Sequence, residues 1–408
     1  MNALVMAGGG ARGAYEAGVV RYLREELPAE ARAKVHFDIL CGTSVGAITA
    51  CFMAATADQP AEQGQVLSRI WEQLRFEEVF NLEGADLWSL GRRMWRAVTH
   101  EPTRPEGWRL HDLLHPEPLE RMVRTAASWA NVSANLARKH LHALAVSTTE
   151  IDSGKTVVFV QQRDGGLPPW SRDPYQEVRE AVLGPEHALA SASIPLFFRS
   201  VRIGEHFYCD GSLRQATPLS PALRLGAERV LIISMRYRPP GPPPVKPLMA
   251  YPTTPVLMGK VLNALMLDHT DYDLDRLRRT NTMLWAGREA FGPEFLTQIN
   301  ATIEKMRGQG YRLVQDLVIR PSRDLASIAS GHVRRLRASA SRSGGLPSRL
   351  LQRVAQSQLV SEGDLASYLL FDGRYAQELI ELAMEDAHAR REELIRFFCE
   401  DVAPVERG

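Results

Sequence analysis

A serine flanked by glycines is the first feature of this sequence that could carry out chemistry. Gly42-Thr43-Ser44-Val45-Gly46 matches the pattern G-x-S-x-G, in which a serine nucleophile stands on a tight turn between a strand and a helix. Apolar residues 39–41 predict the buried strand, and residues 47–55 predict the buried helix. Glycines keep such a turn small, and the helix N-terminus favours negative charge developing at the serine. The alternative interpretation is a glycine-rich turn with a capping serine.

A second glycine-rich segment follows the first apolar strand, residues 3–6. It consists of Gly8-Gly9-Gly10-Ala11-Arg12-Gly13 and leads into helically spaced apolar residues. These glycines satisfy the dinucleotide-binding pattern G-x-G-x-x-G. They also suit an oxyanion hole, in which backbone amides stabilise a tetrahedral intermediate.

The next strand separates these two interpretations of the glycine segment. A dinucleotide site needs an acidic residue at the carboxyl end of its second strand, where it binds the ribose. Here Asp38 precedes the apolar strand, and the carboxyl end of that strand leads to Ser44 instead. The carboxyl ends of neighbouring parallel strands lie at the same edge of a sheet, so the glycine segment and Ser44 are expected to meet. The oxyanion interpretation is therefore favoured.

A serine nucleophile also needs a base, which is most often a histidine. No histidine has a distinctive local context, although chain order alone does not exclude a Ser-Asp-His arrangement. Asp210 is the stronger candidate, because it ends a predicted strand and is followed by Gly211 and Ser212. We expect it to lie exposed at the same edge as Ser44. The alternative is an aspartate that only initiates an Asp-Gly turn.

The composition is that of an ordinary globular protein. The chain of 408 residues is 45% hydrophobic and 24% charged, and its net charge of +1 gives no electrostatic reason to expect a nucleic-acid partner. The four cysteines include no C-x-x-C pair, so we expect reduced thiols and no zinc or redox motif. There is no signal-peptide pattern, and no stretch approaches the roughly 20 apolar residues of a membrane span. We therefore expect a cytoplasmic protein whose contact with membranes is at most peripheral.

Changes in composition along the chain predict its domain organisation. We expect a core over residues 1–235, a proline-rich connection over 236–256, and a mostly helical part over 257–408 that packs on the core. Residues 56–115 are expected to form a helical insertion that contains four of the seven tryptophans. That insertion is either a helical subdomain with an aromatic core or a lid over an acyl-chain groove. The tryptophans are Trp71, Trp88, Trp95 and Trp108.

Finer patterns predict further elements. Residues 176–190 are expected to be helical, residues 199–209 to form a hairpin, and residues 313–319 to add one more strand to the same sheet. The arginine-rich segment 334–353 is interpreted as a solvated helical face, or alternatively as a helix that approaches anionic lipid.

Four ordered blocks of the sequence resemble the patatin-like phospholipases. The glycine segment 8–13 is similar to their G-G-G-x-R/K-G block, and the turn 42–46 is similar to their G-T-S-x-G block. The segment from Ala190 to Phe198 resembles A-S-x-A-x-P-x-x-F, and Asp210-Gly211 matches the start of D-G-A/G. Ser193 and Ser212 depart from the usual small residues of these blocks, and both are small enough to leave the site intact. The blocks lie within residues 3–235.

The resemblance implies a three-layer α/β/α fold with a mainly parallel sheet. It also implies a Ser44–Asp210 catalytic dyad without histidine, an oxyanion loop at residues 8–13, and no metal or cofactor. The implied activity is lipid acyl hydrolysis on a phospholipid or another acyl ester, through an acyl-enzyme. Two alternatives use the same residues, namely an acyltransferase and a lipid-binding regulatory protein without activity. A nucleotide-binding protein is the weakest alternative.

Overall fold

The computed structural model describes residues 1–75, 117–167, 174–195, 198–239, 270–340 and 363–400, together with positions 170, 241, 257 and 260. Within these residues the centre of the molecule is a nine-stranded sheet. Its strands are β1 (Asn2–Met6), β2 (Ile39–Thr43), β3 (Ala143–Glu150), β4 (Thr156–Gln162), β5 (Gln176–Glu180), β6 (Val201–Ile203), β7 (His206–Asp210), β8 (Arg229–Ile233) and β9 (Gln315–Ile319).

The sheet is mostly parallel, which confirms the predicted fold class. Its strand order is β5-β4-β3-β2-β1-β8-β9, and the four neighbouring pairs from β3 to β9 are all parallel. β4 runs antiparallel to β3, and the β6–β7 hairpin joins the sheet through antiparallel pairing of β7 with β3. The central strands β1 and β2 are short apolar segments buried on both faces, as is usual for parallel strands covered by helices.

Helices cover both faces of the sheet. Those before β8 are α1 (Ala14–Glu25), α2 (Ala29–Arg32), α3 (Val45–Ala55), α4 (Gln63–Gln73), α5 (Glu117–Thr125), α6 (Ala130–Ala137), α7 (Pro185–Ser191) and α8 (Leu219–Arg224). Those after β8 are α9 (Thr270–Phe291), α10 (Phe295–Arg307), α11 (Leu325–Ala340), α12 (Gly363–Leu369), α13 (Gly373–Ala389) and α14 (Arg391–Cys399).

Two hydrophobic cores lie on opposite faces of the sheet, because side chains alternate along each strand. On β1, Leu4 and Met6 join the larger core with α1, α3 and α13, whereas Ala3 and Val5 join the smaller core with α8 and α9. The elements that carry Ser44 and the glycine segment pack into the larger core.

The helix predicted over residues 176–190 is wrong in its first part. Gln176–Glu180 forms the edge strand β5, which pairs in parallel with β4. The helix begins only at Pro185, after Gly184 as its N-cap, a position where proline suits the first turn. β5 is only half-buried, so it lacks the apolar pattern of an internal strand.

β9 pairs in parallel with β8, so the C-terminal half contributes a strand to the sheet. Much of three predicted segments lies outside the described residues: positions 76–115 of the insertion, most of the proline-rich connection 236–256, and positions 341–353 of the arginine-rich segment. Within the described part of the chain, no helix combines the length and apolarity that crossing a membrane requires.

Candidate active site

Ser44 lies at a sharp turn between β2 and α3. Its backbone has φ 56° and ψ −126°, a conformation that non-glycine residues rarely adopt and that costs roughly 1–3 kcal/mol. A Cβ atom on Gly42 would lie 2.2 Å from the carbonyl oxygen of Gly46, and one on Gly46 would lie 2.5 Å from the carbonyl oxygen of Met6. Both flanking positions therefore require glycine, because backbone occupies the space that a side chain would need.

Asp210 is the hydrogen-bond partner of Ser44. The Ser44 hydroxyl donates to Asp210 Oδ2 at 2.6 Å, and the backbone amide of Ser212 donates to Asp210 Oδ1 at 2.7 Å. Both carboxylate oxygens are thus engaged, which holds the carboxylate in one orientation. The predicted exposure of Asp210 is wrong, since its exposed fraction is 0%. The hairpin that carries it pairs with β3 and lies beneath the loop after α7, so the end of β7 is inside the protein.

Burial changes the acidity of this carboxyl group. It raises the pKa of Asp210 to about 6, because a charged carboxylate loses its hydration inside the protein. Hydrogen bonds from Ser44 and Ser212 favour the charged form and limit that rise in pKa. Near neutral pH the carboxylate is therefore ionised, and it can accept a proton.

Ser191 holds the turn at Ser44 in place through hydrogen bonds, a role that the sequence did not reveal. Its hydroxyl accepts a hydrogen bond from the Ser44 amide at 2.8 Å and donates one to the carbonyl of Ser147 at 2.6 Å. Two residues later, the carbonyl of Ser193 accepts a bond from the Asp210 amide at 2.9 Å. One short segment after α7 thus contacts both members of the pair. The sequence signal was the run of small residues there, which carried no assigned role.

The glycine segment lies beside Ser44, as the neighbouring strand ends predicted. A Cβ atom on Gly8 would lie 3.1 Å from the Ser44 Cβ and 2.1 Å from the Ser212 hydroxyl oxygen. β1 and β2 pair in parallel, and this pairing brings their carboxyl ends together. The segment after β1 is thereby held against the turn after β2.

Only some of the predicted oxyanion residues have amides available. The Gly8 amide donates to the Ala216 carbonyl, and the Arg12 amide donates to the Gly9 carbonyl, so neither is free for a ligand. Gly10–Gly13 forms a short 3-10 helix, in which the amides of the first residues have no partner within the helix. Among the described residues, the amides of Gly9, Gly10, Ala11 and Val45 make no hydrogen bond to a backbone carbonyl outside the helices and strands.

Arg12 points away from this cluster of amides and into the C-terminal half. Its guanidinium donates to the Ser367 hydroxyl at 2.6 and 3.0 Å and to the Tyr368 hydroxyl at 3.2 Å. It also lies 3.9 Å from the centroid of the Tyr368 ring. These contacts attach the loop to residues 367 and 368.

An apolar pocket opens at Ser44. It encloses about 690 Å³, including the part open to solvent. The lining is almost entirely hydrocarbon, contributed by α3, α4, α5, the segment after α7 and Phe371. Residues on the wall include Ile48, Phe52, Trp71, Met122, Ile194 and Phe198. Such a cavity suits a flexible apolar chain whose reacting end lies at the serine hydroxyl.

Among the described histidines, none is hydrogen-bonded to Ser44 or Asp210, whose side chains bond to each other. Six described histidines lie against other groups: His36 against Asp38, His142 against Asp164, His187 against Gly184, His206 against Asp152, His332 against Asp372 and His388 against Tyr22. His100, His111, His115 and His269 lie outside the described residues. In the same part of the chain, no group of three or more His, Cys, Asp or Glu side chains is arranged to hold a metal ion.

Comparison with known proteins identifies a family. The family model described as patatin-like phospholipase matches residues 4–223. Among solved structures, the chain is similar to the crystal structure of VipD from Legionella pneumophila, with 11% sequence identity and a TM-score of 0.34. The likeness covers 93% of this chain and 66% of that one, so this chain spans just under two thirds of VipD's length. No curated protein matches this chain in sequence.

Proposed function

The chain belongs to the patatin-like phospholipase family, and from that premise we propose that it is a lipid acyl hydrolase with Ser44 as nucleophile and Asp210 as base. The observation that carries this proposal is the 2.6 Å hydrogen bond from the Ser44 hydroxyl to Asp210 Oδ2 at the mouth of an apolar pocket. A serine hydroxyl bonded to a buried carboxylate is arranged to lose its proton as it attacks.

Acylation of Ser44 is the first half of the proposed reaction. Ser44 Oγ attacks the ester carbonyl carbon while its proton passes to Asp210 Oδ2, which gives a tetrahedral intermediate with a negatively charged oxygen. We propose that the amides of Gly9, Gly10 and Ala11, together with that of Val45, donate to that oxygen; none of them bonds to a backbone carbonyl outside the helices and strands of the described residues. Each such donor can supply about 3 kcal/mol of transition-state stabilisation. The intermediate collapses, and the leaving alcohol takes the proton from Asp210.

Deacylation repeats these steps with water as the nucleophile. Asp210 accepts a proton from the water that attacks the acyl-enzyme, and it returns that proton to Ser44 Oγ as the fatty acid leaves. The same amides stabilise the second intermediate. Every proton is returned by the end of the cycle, so neither a metal nor a cofactor is required.

The walls of the pocket support an acyl ester as the substrate class. An acyl chain placed among Ile48, Phe52 and Phe198 would leave water for hydrocarbon surroundings, at a gain of about 0.8 kcal/mol per buried CH₂ group. We therefore propose a phospholipid or another long-chain ester as the substrate. We also propose peripheral contact with a membrane surface, where such lipids lie. We further propose that residues 1–235 form the catalytic core and that residues 257–408 pack on it.

An activated fluorophosphonate tests the nucleophile directly. We expect the wild-type protein to be labelled, Ser44→Ala to lose labelling completely, and Ser68→Ala to keep it. Ser68 is a buried serine on α4 and therefore a matched control. Labelling of Ser44→Ala at the wild-type rate would overturn the assignment.

Lipid profiling tests the substrate class and separates hydrolysis from acyl transfer. Wild type and Ser44→Ala are incubated with mixed phospholipid vesicles, and the products are identified by mass spectrometry. We expect free fatty acid and lysolipid from wild type only. Transacylated lipid without free fatty acid would identify an acyltransferase, and no product over varied chain lengths would favour a regulatory lipid-binding protein.

A further inference from the structure

Arg12 links the glycine segment to a part of the chain that is more than 350 residues away in sequence. Three of its hydrogen bonds and its ring contact all go to two adjacent residues of α12, Ser367 and Tyr368. Arg12 is 8% exposed, Ser367 is 0% exposed and Tyr368 is 4% exposed. A buried guanidinium is costly unless its donors are satisfied, so this contact holds the two segments in a defined geometry.

A backbone contact reinforces that link at Gly10. A Cβ atom on Gly10 would lie 2.4 Å from the carbonyl oxygen of Tyr368, so the loop backbone passes directly against α12. Gly10 has φ +54°, a left-handed conformation that glycine adopts at little cost. Its amide is one of those that make no hydrogen bond to a backbone carbonyl outside the helices and strands of the described residues. The position of α12 therefore determines where an oxyanion donor lies.

The same C-terminal segment reaches the pocket through Phe371. Its ring stacks on Trp71 with centroids 6.1 Å apart and an interplanar angle of 8°, and both rings line the pocket. Residues 367–371 lie beyond the family-matched residues 4–223. This part of the chain thus contacts both the amide-bearing loop and the pocket wall, although it is no part of the family match.

We propose that Arg12 is a positioning residue that fixes the oxyanion loop through Ser367 and Tyr368, so that the active site is complete only when α12 is docked. The inference rests on the proposed hydrolase function for its kinetic consequence. Its physical basis is the planar guanidinium, which can donate to two hydroxyls and stack on a ring at once. A lysine ammonium lacks that planar fork and cannot make the full set of contacts.

Steady-state kinetics on a soluble ester test the proposal with three variants. Arg12→Lys keeps the charge, Ser367→Ala removes the acceptor of two hydrogen bonds, and Tyr368→Phe removes a single oxygen. We expect kcat to fall roughly tenfold to a hundredfold in Arg12→Lys, with KM within about twofold, because the loop amides act mainly on the transition state. Combining Arg12→Lys with Ser367→Ala should cost less than the sum of the two single losses, since both remove one contact.

Arg24 offers a matched control on the following helix. It also donates to a backbone carbonyl and a side-chain oxygen, Val35 O and Gln63 Oε1, and its guanidinium lies 5.8 Å from the Phe37 ring centroid. We expect Arg24→Lys to lower stability without lowering kcat. Unchanged kcat in all three variants at Ser367, Tyr368 and Arg12, or equal kcat losses in Arg12→Lys and Arg24→Lys, would overturn the positioning role.

Hydrogen exchange supplies a readout that does not depend on the proposed activity. In Arg12→Lys and Tyr368→Phe, the amides of residues 8 and 12, which are hydrogen-bonded to Ala216 and Gly9, should exchange faster than in wild type, while peptides from β3 exchange at the wild-type rate. Unchanged exchange of these two amides would overturn the link between the loop and α12. If wild type hydrolyses no ester while the variants still exchange faster in this segment, the link between the loop and α12 is retained and the hydrolase function is rejected.

Discussion

Ser44 and Asp210 lie at the carboxyl ends of two strands, β2 and β7, which meet end to end beside β3. Thr43, the last residue of β2, pairs with Ser147, and Asp210, the last residue of β7, pairs with Thr148. β2 runs parallel to β3 and β7 runs antiparallel to it, so their carboxyl ends converge at two consecutive residues of one strand. This geometry brings a serine and an aspartate from separate parts of the chain to 2.6 Å without any loop having to reach across the site.

The pH dependence of activity should report the ionisation of Asp210. Burial raises its pKa to about 6, and only the ionised carboxylate can accept the Ser44 proton. We expect kcat/KM to rise with pH up to about 6 and to remain level above it, when measured with a soluble ester between pH 4.5 and 8. An inflection near pH 7 that disappears on substitution of a histidine would contradict a carboxylate base.

Replacing Asp210 by asparagine should stabilise the protein near neutral pH. Because folding raises the pKa of Asp210 above its unfolded value, this carboxyl contributes most to stability below pH 3.8, and the contribution is lost as pH rises through about 6. A shift from 3.8 to about 6 corresponds to about 3 kcal/mol. Asp210→Asn should therefore unfold at higher urea concentration than wild type at pH 8.

That gain in the free energy of unfolding should shrink as the pH falls towards 4, where the wild-type carboxyl is protonated in the folded state and ionised only in part in the unfolded chain, and it should vanish below pH 3.8. Asp316→Asn is a useful comparison, because Asp316 is paired with Arg278 and lies away from the site. We expect that variant to show no stabilisation at pH 8. A gain for Asp210→Asn that is the same at pH 4 and pH 8 would contradict the electrostatic explanation.

Ser191→Ala should impair both stability and turnover. It removes the acceptor of the buried Ser44 amide and the side-chain donor to the Ser147 carbonyl, so the amide loses its partner. The expected loss is about 2 kcal/mol in the free energy of unfolding, with a fall in kcat as the turn loses its support. Ser193→Ala, which removes one side-chain bond to the Leu189 carbonyl, should destabilise less. Equal stability of Ser191→Ala and wild type in urea unfolding would refute this role.

Narrowing the pocket should change the preference for acyl-chain length. Ile48 lines the pocket on α3, so Ile48→Trp would fill part of the space next to Ser44. We expect kcat/KM for long-chain esters to fall at least roughly tenfold relative to that for short-chain esters, because lost pocket contacts act on the substrate's chain. Val182→Trp, at a residue that is 75% exposed, is the control and should not alter the ratio. Equal losses for short and long chains would argue against an acyl site.

The local patterns of the sequence were sufficient for the turn at Ser44 and the glycine segment. Both are short-range features, in which glycine types and strand–helix alternation specify the backbone conformation. The edge strand β5 was missed because Gln176–Glu180 is half-buried and pairs only with β4, so no apolar period marks it. Asp210 was found from its position before a glycine, but its burial was not.

What the sequence by itself determined is the set of groups that we propose to react and the mostly parallel sheet whose strand ends carry them. Only the tertiary structure decided which amides of the glycine segment are hydrogen-bonded, that Asp210 is buried, that Ser191 supports the turn, and that Arg12 contacts α12. The physical reason is the distance along the sequence over which each property is determined. A turn is specified by neighbouring residues, whereas desolvation and hydrogen-bond partners depend on segments that meet only after the chain has packed.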